Sequence, residues 1–354
     1  KNNKSSTKSE LLRKEVELAI LDSKTGEIFV KRYWLETEEI KKANVLRSSY
    51  IDNENNLPGF TPENMNEEFQ VITNWWNHFN SDLDIIKLSE SEEKDRYAVV
   101  ANKFLLSNDS FVYPEDRTGD KYSELIYAPY SNSLHQPELV TEGRDFLNKK
   151  VALAFESLKQ KEILSKSYPE QLVVDTIFPE FVKNVFLIEQ TDPRLALASS
   201  DGGRRLAERV LIMFGANKEK AFRHTFSKTG ALGLGQIMPE TYASIVEGYP
   251  NAKLIKDLDI GRVDIENAIM ASILVFDDHL ATVLRGMTSA QKTKLEKKLQ
   301  TEADFINEVR AAVYNGGPSK YKRATATISV TVRETVDFVK KYKIIFTNTK
   351  APTG

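Results

Sequence analysis

Cysteine is missing from all 354 residues, which excludes disulfides, thiolate-ligated zinc, iron–sulfur clusters and cysteine nucleophiles together. Excess charge of one sign is missing too, since 49 Lys and Arg stand against 51 Asp and Glu for a formal net charge of −2. So balanced a chain does not hold a phosphate backbone by bulk charge, and nucleic acid is not an expected partner. Only His78, His135, His224 and His279 supply imidazoles, and no two share the i, i+4 spacing of a metal-binding helix, so neither a metal nor another cofactor is expected. Without a G-x-S-x-G elbow or a G-x-x-x-x-G-K-[ST] loop, serine-hydrolase and P-loop chemistry have no motif to rest on. No apolar run of about 18 residues and no basic start leading into an apolar stretch is seen, so no membrane span or signal peptide is expected. The chain starts at Lys1 rather than Met, and an upstream signal or anchor is expected to have been removed from it.

What is there is the make-up of an ordinary folded protein, 41% hydrophobic and 28% charged, long enough to predict about two domains. Residues 1–10 are polar; VELAILD, the turn signal SKTG and EIFVKRYW then predict a β-hairpin between Glu15 and Trp34. In NEEFQVITNWWNHF, Phe69, Ile72, Trp76 and Phe79 recur at spacings of three and four, which predicts a helix. Residues 100–145 are irregular, with Pro114, Pro129 and Pro137 among polar residues. Residues 1–145 are therefore expected to be a small α/β accessory domain, and the long helical patterns of 146–350 an all-α domain, giving an α+β class overall. The stretch 264–285 is the clearest of these helices: Asp264 is placed to N-cap it, Ile265, Ala268, Ile269, Ser272, Ile273, Phe276, Leu280 and Val283 form one stripe, and Gly286 ends it.

Chemistry is best sought after Pro179. Phe178, Val182 and Val185 fall at i, i+4 and i+7, and Glu189 is the next member of that row. A carboxyl there is partly desolvated, holds its proton to higher pH and can act as a general acid; the alternative is a helix end turned into solvent. The glycines of TGALGLGQIMPETY let backbone approach another surface closely, and Pro239 suits the first turn of a helix. VYNGGP predicts a helix end, with Asn315 or Gly316 in the left-handed position and Tyr314 projecting nearby. Trp34, Trp75 and Trp76 can stack on sugar rings, although core packing is the commoner use.

These pieces together resemble a family. Ser227-x-x-Gly230-Ala231-x-Gly233-Leu234-x-Gln236-Ile237-Met238-Pro239-x-Thr241 is similar to the S-x-x-G-A-x-G-L-M-Q-x-M-P-x-T signature of soluble lytic transglycosylases, whose fold resembles goose-type lysozyme. Ala312-Val313-Tyr314-Asn315-Gly316-Gly317-Pro318 resembles that family's A-Y-N-A-G-P, and Glu334-Thr335-x-x-Phe338-Val339 its E-T-x-x-Y-V, in the family's order. The resemblance implies cleavage of the β-1,4 bond between N-acetylmuramic acid and N-acetylglucosamine in peptidoglycan strands, ending in a 1,6-anhydro sugar, with Glu189 as acid and then base and the substrate's acetamido group in place of a second carboxylate. By the same carry-over Ser227 and Gln236 hydrogen-bond acetamido groups or the acid, Tyr314 orients Glu189 or the sugar, Asn315 lines the cleft and Glu334 buttresses its wall; for each the alternative is loop capping. The substrate implies a periplasmic or cell-envelope setting, with an envelope protein as a further partner for the N-terminal domain.

The chain departs from that pattern in three places. Gln190 stands where the family has serine after its glutamate, and Gly235 replaces the methionine of G-L-M-Q. Glu189 and Ser227 lie 38 positions apart (227 − 189), far more than the family needs, so residues of about 194–226 are expected to be an insertion, with LAERVLIMFG as an additional helix. The alternative acids are Glu208 and Glu240. Two other functions compete: a hydrolytic muramidase, with Asp192 or Asp201 as second carboxylate, and a catalytically inactive glycan-binding scaffold.

Overall fold

A computed structural model of the chain describes residues 13–36, 68–75, 82–93, 95–105, 124–223, 225, 227, 229–302, 304–329 and 331–350. They fall into two compact units, one within Lys1–Gly143 and Leu211–Thr225, the other within Arg144–Val210 and Phe226–Gly354. Residues 211–225, expected above as part of an insertion in the second domain, are grouped with the first unit. The class is α+β, with small antiparallel sheets and many helices.

In the first unit β1 (Arg13–Asp22) and β2 (Ile28–Glu36) pair antiparallel from Arg13↔Glu36 to Leu21↔Ile28, the expected hairpin. Its turn needs Gly26, whose φ is +75°. Leu18 and Ile20 are fully buried and alternate with half-buried Glu17, Ala19 and Leu21, so one face of β1 meets the core. The helix expected around Phe69 is instead β3 (Phe69–Trp75), paired antiparallel with β4 (Asp82–Lys87). Phe69 and Val71 are buried on β3, and Leu83 and Ile85 on β4. A period of two therefore wins over the three-and-four spacing, because the β-branched run Val71-Ile72-Thr73 suits a pleated strand and finds a partner in DLDIIK. Trp76 and Phe79, half of the helical pattern, lie outside the described residues, as do the side chains of Trp34 and Trp75. Then β5 (Tyr97–Leu105) and β6 (Glu124–Tyr127) complete a four-stranded sheet in the order β2-β1-β5-β6. The small α/β module expected here is thus an antiparallel β unit; besides strands, its described residues include parts of two helices, α1 (Pro137–Gln160) and a later one.

The second unit is helical. After α1 come α2 (Val173–Thr176), α3 (Pro179–Glu189), α4 (Pro193–Ala198), α5 (Arg204–Asn217, of which 211–217 are grouped with the first unit), α6 (Pro239–Gly248), α7 (Leu258–Val263), α8 (Ile265–Arg285), α9 (Ser289–Thr301) and α10 (Phe305–Gly316). A two-residue hairpin of β7 (Tyr321–Lys322) and β8 (Thr327–Ile328) precedes α11 (Arg333–Lys350). The whole stripe foreseen on α8 is at most 2% exposed. Asp264 accepts the Asn267 N–H at 3.1 Å and caps the helix as expected, while Gly286, at φ −83°, ends it without the left-handed turn. By length and apolar content α8 could cross a bilayer, yet 78% of its apolar window is buried within the protein. Phe181 of α3 meets Phe276 of α8 at 4.9 Å between ring centroids and Tyr342 of α11 at 5.7 Å, both edge-on, which fixes α3 between these helices. Asp277 is wholly buried on α8 and accepts from Ser165 Oγ at 2.6 Å, the Lys166 N–H at 2.6 Å and Tyr249 Oη at 2.8 Å, so both of its oxygens are satisfied by hydrogen bonds.

Replacing the cap, Asp264→Ala, is expected to lower unfolding stability by about 1 kcal/mol, with Asp264→Asn much closer to wild type. Urea denaturation of both variants measures the difference.

Candidate active site

The helix α3 begins on Pro179, whose missing N–H is harmless in a first turn, after Phe178 in extended conformation. Phe178 is 63% exposed and lies outside the buried row to which the i, i+4, i+7 spacing assigned it; Val182 and Val185 are on that row and fully buried. The row carries Glu189 to the last residue of the helix, where it is half-buried. No hydrogen bond or ion pair reaches its carboxyl among the described residues. Burial pushes its pKa up to about 8; the charge of Lys341 works against that rise and that of Glu334 adds to it.

What holds this helix end is spread along the chain. The Ile188 carbonyl accepts from the Thr191 N–H at 3.3 Å, from Thr191 Oγ1 at 3.1 Å and from Lys341 Nζ at 2.5 Å. Lys341 donates to the Thr191 carbonyl as well, at 2.9 Å. Gln190, at 7% exposure, donates through Nε2 to the Leu234 carbonyl at 2.8 Å and the Gly233 carbonyl at 3.4 Å. Gln190 thus ties the end of α3 to the glycine-rich loop.

The loop is built by its own side chains. Ser227 Oγ accepts the Ala231 N–H at 3.0 Å and lies 2.9 Å from Thr229 Oγ1. Gln236, in the left-handed region at φ +47°, donates through Nε2 to the Gly233 carbonyl at 2.7 Å. Gly233 is at φ +76°, and a Cβ there would come within 2.1 Å of the Arg262 carbonyl. Arg262, on α7 and 5% exposed, donates to the carbonyls of Gly230 at 2.7 Å and Ile237 at 3.0 Å, clamping both sides of the loop.

Tyr314, on the last turn of α10, donates its hydroxyl proton to the Gly235 carbonyl at 2.5 Å, which leaves Ser272 Oγ, 3.2 Å away, to donate to the tyrosine oxygen. Burial, then the nearby charge of Glu189, pushes the tyrosine pKa well above its usual range, so the phenol stays neutral. A side chain at 235 has no room, since a Cβ would lie 2.5 Å from Ser272 Oγ and 2.9 Å from Tyr314 Oη. A methionine at this position is excluded by the phenol and serine that fill the space.

Of the other expected residues, Asn315 is half-buried on α10 and its side chain has no hydrogen bond among the described residues. The left-handed turn foreseen at Asn315 or Gly316 falls at Gly317, φ +81°. Glu334 is exposed in the first turn of α11, near enough to act on Glu189 through its charge. Asp192 Oδ1 accepts the Leu195 N–H at 3.2 Å, and Asp201 accepts from Ser199 Oγ and, at 2.9 Å, from the Arg205 N–H, so both are engaged at helix starts. Glu208 lies 4.0 Å from Arg204, and Glu240 is exposed in the first turn of α6. Among the described residues no group of three His, Asp or Glu is placed to hold a metal ion. The structure thus gathers Glu189, Gln190, Ser227 with residues 229–237 of the loop, Tyr314, Ser272, Glu334 and Lys341 around one helix end. Lys341, Arg262 and Ser272 had no motif to reveal them. No family model, curated protein or solved structure matches the chain.

Gly235→Ala is expected to lose about 1–3 kcal/mol through overpacking. Adding Ser272→Ala should restore part of that loss, and strict additivity in the double-mutant cycle would contradict the crowding described. Folding also raises the Glu189 pKa from 4.5 to about 8. The stability that its bound proton contributes is therefore complete below about pH 4.5 and lost as pH rises through 8. Glu189→Gln should gain on wild type across that window, and denaturant midpoints that stay parallel with pH would show the carboxyl to be ordinary.

Proposed function

We propose that the helical unit is a peptidoglycan lytic transglycosylase that cleaves the bond between N-acetylmuramic acid and N-acetylglucosamine and closes a 1,6-anhydro ring. The observation that carries this is Glu189: a half-buried carboxyl with no hydrogen bond among the described residues, made a weak acid by burial, at a helix end linked by Gln190 to a glycine-rich loop. Such a group is protonated near neutrality and able to give that proton to a leaving oxygen.

In this mechanism the Glu189 proton passes to the glycosidic oxygen as the bond from C1 to that oxygen breaks, while the substrate's acetamido oxygen supports C1. The carboxylate left behind takes the proton of the C6 hydroxyl as the C6 oxygen bonds to C1. Glu189 ends protonated, and no water is consumed. Tyr314, neutral and tethered to the Gly235 carbonyl, keeps the wall beside the acid in place. Asn315, whose side chain has no hydrogen bond among the described residues, is available to a sugar acetamido group, whereas Ser227 and Gln236 act by holding the loop in shape. The capping bonds of Asp192 and Asp201 speak against a hydrolase using either as second carboxylate. The substrate puts the enzyme outside the cytoplasm, and the β unit is free to serve an envelope partner.

Isolated peptidoglycan digested with wild-type protein is expected to give anhydro-muramic ends by mass spectrometry, and Glu189→Gln to lower their yield about 100-fold or more. Reducing ends would make the protein a muramidase; no fragments at any pH would make it a binding scaffold. Because the acid must be protonated to act, cleavage should fall as pH rises through about 8.

A further inference from the structure

Lys341 is a cation where cations are expensive. It sits on α11 at 4% exposure with its ammonium 5.4 Å from the Phe338 ring, and no carboxylate lies within ion-pair distance of it among the described residues. Two of its three protons go to the carbonyls of Ile188 and Thr191, which bracket Glu189 in the chain. The charges acting on it are acidic from both sides of the packing: Glu189 and Asp192 at the end of α3, Glu334 and Asp337 on α11. Asp192 and Glu334 are exposed, and Asp337 lies 3.5 Å from Arg333 Nε, so Glu189 is the best placed to respond. Burial lowers the Lys341 pKa, and Glu189 leads the groups that hold it up.

We propose that Lys341 is a positioning residue for Glu189: it fixes the backbone on either side of that carboxyl and supplies a buried positive charge that makes the carboxylate form tolerable inside the fold. A structural cap alone has no need of charge, since a glutamine amide offers two N–H donors to the same carbonyls. The charge matters when Glu189 ionises, and the transglycosylase reading requires this once per cycle, between giving its proton and taking one from the C6 hydroxyl. Only that last link rests on the proposed activity.

The test uses the full chain and no substrate. In protein labelled with carboxyl ¹³C-glutamate, with Glu189 assigned by its absence from Glu189→Gln, the Glu189 titration midpoint is expected to rise by about one unit or more in Lys341→Gln and to stay near wild type in Lys341→Arg. Equal midpoints in the two variants would reduce Lys341 to a helix cap and overturn the proposal. Should Lys341→Gln not fold, the coupling is read from the other side: the ¹⁵Nζ midpoint of Lys341 must fall in Glu189→Gln, which leaves the lysine untouched, and an unmoved midpoint overturns the proposal equally. Cleavage assays then separate the two ideas. A coupled pair in a protein without cleavage keeps the inference and removes the activity; in an active protein the basic limb of the pH profile follows the Glu189 midpoint in Lys341→Gln.

Discussion

A helix cannot satisfy the carbonyls of its own last turn, and the site depends on how α3 meets that constraint. Its end is buried, so water is a poor remedy, and the chain brings Lys341, Thr191 and Gln190 to the task. Through these contacts a carboxyl on the last helical residue is held in place with no bond to the carboxyl itself among the described residues. Two opposed effects then act on it, desolvation favouring the proton and a neighbouring ammonium favouring its release. A group balanced in this way can change protonation near neutrality, which neither a solvated nor a salt-bridged glutamate does.

The glycine-rich wall obeys a related logic. Its turns present carbonyls rather than side chains, and those of Gly230, Gly233, Leu234, Gly235 and Ile237 are each claimed by Gln190, Gln236, Arg262 or Tyr314. A segment rich in glycine is costly to order. Clamping its backbone from α3, α7 and α10 offsets that cost and sets the distance between loop and acid. Gly235 follows from the clamp: once Tyr314 and Ser272 fill the space, only hydrogen fits on that Cα.

How much of this was legible in the residues depended on the reach of the interaction. Capping at Asp264, the stripe of α8 and the turn between β1 and β2 are local, and spacing alone located them. Continuing an apolar row along the sequence leads to Glu189, which the structure places at the half-buried end of α3, although Phe178 does not belong to that row. The strand at Phe69 was misjudged because a mixed pattern is decided by a pairing partner, here DLDIIK, that a short window does not contain. Lys341 is 153 positions from the carbonyl that it holds, and Arg262 is 32 from Gly230. Lysine in an amphipathic helix ordinarily signals solvent, and nothing nearby distinguishes Lys341 from the exposed Lys340 before it.

The central helix α8 bears on how the chain reaches its fold. Until its neighbours have collapsed on it, this segment is long and apolar enough to enter a lipid bilayer. Asp277 and Asp278 lie within it, and an acidic residue near the middle of an inserting helix raises the free energy of insertion by about 3 kcal/mol. The same two carboxylates later anchor the segment after α1, Asp277 through Ser165 and Asp278 through Lys166 at 2.8 Å. The pair of charges that would make insertion of this segment costly is thus the pair that fastens it in the folded protein.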